Sequence, residues 1–296
     1  MSKVALKDVK VLTAMVTPMN KRGSVNYRKA AELSEYLADE QDTDGIVVAG
    51  TTGEALNLKV REQYHLFEVV AKAVGDRCLV IAGTGSNSTE EAETMTRNVA
   101  SSGYADAVLA VVPYYNKPTM PGVVDYFTRI ADCGTPTIMY NIPGRSVINM
   151  APETIAELSG HENIVGIKEC NVGQMPDYRE LLPADFLIAT GNDGELIYAL
   201  YNGATCNVSV ASHFIGRVIK KAISIYPEDP QAAANLMANY ADFIDALFAV
   251  SNPILAKGGL NLLGFEVGGL RSPMMPATPE ESMVLEAEMR KVGLLG

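Results

Sequence analysis

Short apolar runs alternate with amphipathic stretches along most of the chain, and each run ends in a turn rich in Gly or polar residues. The runs are Val9–Ala14, Gly45–Ala49, Leu79–Gly83, Ala107–Val112, Thr137–Asn141, Ile164–Lys168, Phe186–Thr190 and Thr205–Val208. They are mostly β-branched and apolar at every position, the pattern of parallel strands buried on both faces. Their recurrence at roughly 20 to 35 residues is the spacing of βα units. Helix signals lie between them. Ser88-Thr-Glu-Glu91 reads as a capping box, Gly75 and Gly103 as helix ends, and Leu58–Val74 carries apolar residues at helical spacing. Beyond about residue 212 the strand pattern stops. Three helical patterns follow, at Gln231–Ser251, Pro253–Leu263 and Pro279–Val292.

Eight regular units predict an α/β chain built as a (β/α)8 TIM barrel over residues 1–225, with a helical extension over 226–296. An open doubly wound sheet shares the same alternation and is the competing architecture. The chain has 296 residues, 48% of them hydrophobic, which suffices for one core of barrel size.

Charge and composition remove several function classes. With 35 acidic against 24 basic residues the net charge is −11, which repels a phosphate backbone, so no nucleic-acid partner is expected. Charges fall within the first eight residues, where a signal peptide needs an apolar core, and no apolar run is long enough to span a bilayer. The reading is a cytoplasmic protein with no membrane partner. Cys78, Cys133, Cys170 and Cys206 stand far apart without a CxxC pair, beside only three histidines, so neither a disulfide framework nor a metal site is expected.

Chemistry in such barrels sits at the C-terminal ends of the strands. Those ends are polar here: Thr51-Thr52 with Glu54, Tyr114-Tyr115, Tyr140, Lys168-Glu169 and Gly191-Asn192-Asp193. Lys168 closes Ile-Val-Gly-Ile-Lys, and a lysine at the inner end of a buried strand is either paired or reactive. Desolvation would supply the neutral amine that imine chemistry needs. Pairing with Glu169, or reaching out to the rim, is the other reading. The loop Gly50-Thr51-Thr52-Gly53-Glu54 offers backbone N–H groups and hydroxyls to a carboxylate or phosphate. Tyr114, Tyr115 and Tyr140 are candidate proton carriers, against ordinary rim packing. Arg145 can present a fork to a second carboxylate or simply stand in solvent. Gly83-Thr-Gly85-Ser-Asn-Ser88, with Asp106 downstream, half matches a dinucleotide fingerprint, but the third glycine is missing.

The ordered motifs GTTGE at 50–54, AGTGSN at 82–87, PYYNKP at 113–118, YNIPGR at 140–145, GIKE at 166–169 and LRSPMMP at 270–276 resemble the dihydrodipicolinate synthase and N-acetylneuraminate lyase family over nearly the whole chain. The resemblance implies that Lys168 forms a Schiff base with pyruvate, with no cofactor, and that the resulting enamine attacks the aldehyde of aspartate semialdehyde. It implies a carboxylate site at Thr52 and the GTTGE backbone, a proton relay of Thr51, Tyr115 and Tyr140, and substrate contacts at Gly191 and Val208. The tyrosine at the Tyr115 position is lent by a neighbouring subunit in the family, which implies a homo-oligomer, a dimer or a tetramer. Arg145 matches the residue that gathers the semialdehyde carboxylate and favours the synthase branch. The alternative is an N-acetylneuraminate or 2-keto-3-deoxy sugar acid lyase. Asn192, Cys170-Asn171 and Val208 depart from the family's usual residues. So do Val60 and Gln63, which stand where lysine-sensitive relatives commonly carry histidines, while Asn87, Glu91 and Tyr114 are kept. Insensitivity to L-lysine is the expectation.

Overall fold

In the computed structural model, which describes residues 3–296, the apolar runs become β1 (Val11–Ala14), β2 (Gly45–Val48), β3 (Leu79–Gly83), β4 (Ala107–Val111), β5 (Thr137–Asn141), β6 (Ile164–Glu169), β7 (Leu187–Thr190) and β8 (Cys206–Ser209). All neighbours are parallel, and β8 pairs back onto β1, so the sheet closes in sequence order. Closure rules out the open doubly wound sheet. The limits of several strands move by one or two residues from the apolar runs. At the start, Leu6–Asp8 form a 3-10 turn whose Leu6 carbonyl accepts from Val9 N–H, which delays β1 to Val11.

The helices are α1 (Tyr27–Asp39), α2 (Val60–Val74), α3 (Thr89–Ser102), α4 (Met120–Ala131), α5 (Pro143–Ser146), α6 (Pro152–Leu158), α7 (Tyr178–Leu181), α8 (Leu196–Tyr201), α9 (Ser212–Ile225), α10 (Pro230–Ala238), α11 (Ala241–Leu247), α12 (Ile254–Leu262) and α13 (Pro279–Lys291). Gly75 and Gly103 end α2 and α3 at φ +55° and +69°, conformations open to glycine without the Cβ penalty. The capping box at Ser88 is half made. Ser88 Oγ accepts from Glu91 N–H at 3.4 Å, but the Glu91 carboxylate takes the Ser86 hydroxyl at 2.9 Å instead of returning to the Ser88 N–H.

The helical pattern Gln231–Ser251 is two helices rather than one. The chain leaves helical geometry at Tyr240 (φ −116°, ψ 4°), and the bend lets α10 pack on α9 while α11 packs on α13. The core is continuous from barrel to extension, with Phe214 on α9 meeting Phe243 on α11 edge to face at 5.6 Å. Among the described residues no helix is long and apolar enough to cross a membrane.

Candidate active site

Tyr140 on β5 and Lys168 on β6 are register partners, so alternation sends both side chains to the same face of the sheet and sends Asn141 and Glu169, also partners, to the other. The Lys168 Nζ lies 4.4 Å from the Tyr140 ring centroid. Both residues are buried. Burial lowers the Lys168 pKa from its ordinary value; Cys170 and Asp193 oppose this, and Arg145 adds to it. Burial likewise raises the Tyr140 phenol well above its ordinary value, with the Thr51 hydroxyl favouring the phenolate.

Glu169 is engaged on its own side of the sheet. Its carboxylate accepts from Asn141 Nδ2 at 2.9 and 3.1 Å, Gln174 Nε2 at 3.0 Å, Asn171 N–H at 2.6 Å and the Tyr178 hydroxyl. It is therefore not the partner of Lys168. Asp193 is also saturated, accepting from Asn207 Nδ2 at 2.8 Å and from the N–H groups of Val210 and Ala211 at 3.0 and 2.9 Å. It acts on the lysine only through space.

Gly191 follows β7 and lies against the lysine stem. A Cβ there would stand 2.4 Å from Cys170 Sγ and 2.6 Å from Lys168 Cε, so only glycine leaves both side chains where they are. The Cys170 thiol is pushed up to about 11 by burial, which Lys168 partly offsets.

The GTTGE loop is held from below. Glu54 takes a left-handed φ of +56°, and its buried carboxylate pairs with Lys257 Nζ at 2.5 Å and accepts from Arg271 N–H at 2.9 Å. Arg271 in turn forks onto Glu62 with two 2.7 Å bonds. Within the loop Thr52 is buried, and its Oγ1 accepts from Asn252 Nδ2 at 2.8 Å. Above the loop a cavity of about 490 Å³ opens, and Thr51, Tyr140, Arg145 and Asn252 lie in its wall. Thr52, Lys168, Gly191 and Val208 do not. The lysine meets the cavity through the Tyr140 ring, and Val208 is buried in β8 as the register partner of Leu12.

Tyr115 is the sequence candidate that the chain does not bring to this cluster. It is 86% exposed at φ +75°, an unusual conformation for a bulky residue, and Tyr114 lines the cavity in its place. The glycines of the dinucleotide-like loop have a packing role. A Cβ on Gly83 would lie 2.2 Å from the Ala49 carbonyl oxygen, and one on Gly85 would lie 2.4 Å from the Val111 nitrogen. Gly83 admits the loop that follows β2 and Gly85 the end of β4, and both glycines line the cavity.

Asn252, Pro253, Pro273 and Met274 also line the cavity, and all come from the extension that sequence reading set apart from the catalytic unit. No periodicity marks them; an Asn-Pro step and the LRSPMMP run are the only signals. Among the described residues no group of three or more His, Cys, Asp or Glu is arranged to hold a metal ion. His213 is buried, its Nε2 accepting from Val16 N–H at 3.2 Å and its Nδ1 facing the Val210 carbonyl at 2.8 Å.

A closed barrel with a buried lysine and a phenol side by side at the C-terminal ends of β5 and β6 has the layout of a barrel enzyme, whose chemistry sits at that end of the strands. The chain matches the dihydrodipicolinate synthetase family model over residues 7–292 and belongs to that family of enzymes. It is 42% identical over 280 residues to a 4-hydroxy-tetrahydrodipicolinate synthase of Streptococcus suis, covering 94% of this chain and 90% of that one. Among solved structures, dihydrodipicolinate synthase from Cyanidioschyzon merolae with lysine bound superposes with a TM-score of 0.95 at 43% identity, over 98% of this chain and 99% of that one. The chloride-inhibited enzyme from Acinetobacter baumannii complexed with pyruvate gives a TM-score of 0.93 at 32% identity, over 97% and 100%.

Proposed function

We propose that this chain is a 4-hydroxy-tetrahydrodipicolinate synthase, which condenses pyruvate with L-aspartate 4-semialdehyde in the route to diaminopimelate and lysine. The observation that carries the reading is Lys168, buried beside Tyr140 without a carboxylate partner of its own. A buried amine with a lowered pKa attacks the C2 carbonyl of pyruvate, water leaves, and an imine forms with no cofactor. A C3 proton passes into the relay of Thr51, Tyr115 and Tyr140 and leaves the enamine. The enamine C3 bonds to the aldehyde carbon, and the same relay returns a proton to the aldehyde oxygen. Attack of the substrate amine on C2 then closes the ring and releases Lys168. The Tyr140 phenol stays protonated in its buried setting and delivers the proton, with Thr51 as the next member of the relay.

The GTTGE loop holds the pyruvate carboxylate through Thr52 and its backbone N–H groups, and Arg145 at the cavity wall holds the carboxylate of the semialdehyde. Gly191 keeps the lysine stem in place. Tyr115, exposed and strained in the single chain, serves the site of a second copy, which makes the active form a dimer or a tetramer.

The test is borohydride reduction in the presence of pyruvate. Inactivation should follow, and peptide mass analysis should place a reduced pyruvyl group on Lys168. An unmodified Lys168 would overturn the assignment. A panel of aldehydes, sugar-derived ones included, then separates the synthase from the sugar acid lyases.

A further inference from the structure

Asn252 lies between α11 and α12, in the extension rather than the barrel, yet it touches both groups that bind carboxylates in the proposed function. Its Nδ2 donates to Thr52 Oγ1 at 2.8 Å, and its main-chain oxygen accepts from Arg145 Nη2 at 3.3 Å. Its Oδ1 is buried with no partner, so the amide is held by the threonine alone.

A hydroxyl carries one proton and two lone pairs, whereas a carboxylate only accepts. A Thr52 hydroxyl that accepts from Asn252 has its proton directed elsewhere, ready to donate to an anion; a free hydroxyl would sample acceptor and donor orientations alike. Arg145 is an exposed side chain at the cavity wall, and the Asn252 carbonyl restricts its fork to one side. We propose that Asn252 is a positioning residue that sets Thr52 as a donor to the pyruvate carboxylate through its side chain and anchors Arg145 through its main chain. The inference rests on the proposed function, and it assigns the two anchors to separable atoms of one residue.

The experiment uses the full chain and the pyruvate concentration that gives half-maximal inactivation by borohydride, a readout independent of the aldehyde. Asn252→Ala should raise that concentration about tenfold, the order expected for one lost orienting hydrogen bond. Thr52→Val should raise it at least as much, and the double variant no further than Thr52→Val alone. The KM for the semialdehyde should stay within about twofold in Asn252→Ala, because the main-chain anchor of Arg145 remains. Asn252→Ser is the second variant should the alanine fail to fold; its effect should likewise vanish in the Thr52→Val background. Additive effects of the two substitutions, or an unchanged pyruvate dependence in a folded variant, would overturn the role given to Asn252. Failure of the unaltered protein to be trapped by pyruvate would instead remove the proposed function itself.

Discussion

Lys257 Nζ lies 2.5 Å from Glu54 Oε1 with both side chains buried, and the lysine also donates to the Gly269 carbonyl at 2.7 Å. This pair joins the extension to the loop that carries Thr51 and Thr52. Removing one partner of a buried pair strands the other charge in low dielectric, at a cost of about 3–5 kcal/mol. Lys257→Met should therefore lower the denaturant midpoint sharply and weaken pyruvate trapping as the loop relaxes. Glu54→Gln combined with Lys257→Met should recover part of the lost stability. Equal stabilities for the single and double variants would show that the pair does not hold the loop.

The barrel was legible because its strands are buried on both faces and leave uninterrupted apolar runs. The placing of Lys168 and Tyr140 side by side was legible because both close buried runs, which become neighbouring strands in register. The cavity roof was not. Asn252, Pro273 and Met274 belong to loops between helices, where no period governs the side chains, and they reach the site only through tertiary packing. Asn252 bonds to a threonine 200 positions away. The break between α10 and α11 was missed for a related reason: Tyr240 has ordinary helix propensity, and packing on two different partners imposes the bend.

His213 provides a pH prediction. It is fully buried, and desolvation lowers its pKa to about 4, with the Val210 carbonyl opposing. The unfolded chain binds its proton near pH 6.5, so protonation favours unfolding. Its neutral form contributes stability that is complete above about pH 6.5 and is lost as pH falls toward 4, about 3 kcal/mol in all. Denaturant midpoints measured from pH 7.5 to 4 should fall for the unaltered protein. In His213→Gln the fall over this window should be smaller, although the variant starts from a lower stability. Parallel curves would sink the assignment.

Gly191→Ala should abolish imine formation more completely than it lowers stability. The added methyl meets Lys168 Cε at 2.6 Å and Cys170 Sγ at 2.4 Å, and the lysine stem is the part able to move. Cys170→Ala in the same chain relieves only the sulfur contact and should restore little pyruvate trapping. Full trapping in the single variant would mean that Lys168 tolerates the displacement.

Arg145→Ala should spare the pyruvate imine and weaken use of the semialdehyde. Its guanidinium lies at the cavity wall and contacts the Asn252 carbonyl rather than a carboxylate, so no buried charge is stranded by its loss. Removing a charge-assisted bond to the substrate costs roughly 1.5–3 kcal/mol, about a ten- to hundredfold fall in kcat/KM. Loss of borohydride trapping, or unchanged turnover of the semialdehyde, would contradict the role.

Response to L-lysine is the remaining test, and several of the positions at which the family resemblance implies a lysine site meet at a second cavity of about 640 Å³ that shares Leu56, Gly85 and Tyr114 with the first. Val60, Gln63, Glu91 and Tyr114 line it, and the Cyanidioschyzon merolae relative was solved with lysine bound. In this chain Val60 offers no polar atom beyond its backbone. The Gln63 amide already donates to the Ala55 carbonyl at 3.0 Å. Glu91 remains for an ammonium, although one of its oxygens accepts from the Ser86 hydroxyl at 2.9 Å. A lysine ligand would thus miss two partners relative to the histidine-bearing members of the family, and each missing bond to a charged group is worth roughly 1.5–3 kcal/mol. Two such losses raise an inhibition constant by about two to four orders of magnitude. We expect steady-state rates to be unchanged by L-lysine up to about millimolar concentration, a level that corresponds to only about 4 kcal/mol of binding. The Val60→His/Gln63→His double variant should gain sensitivity. Half-inhibition of the unaltered protein well below a millimolar would show that other residues of the cavity replace the missing partners.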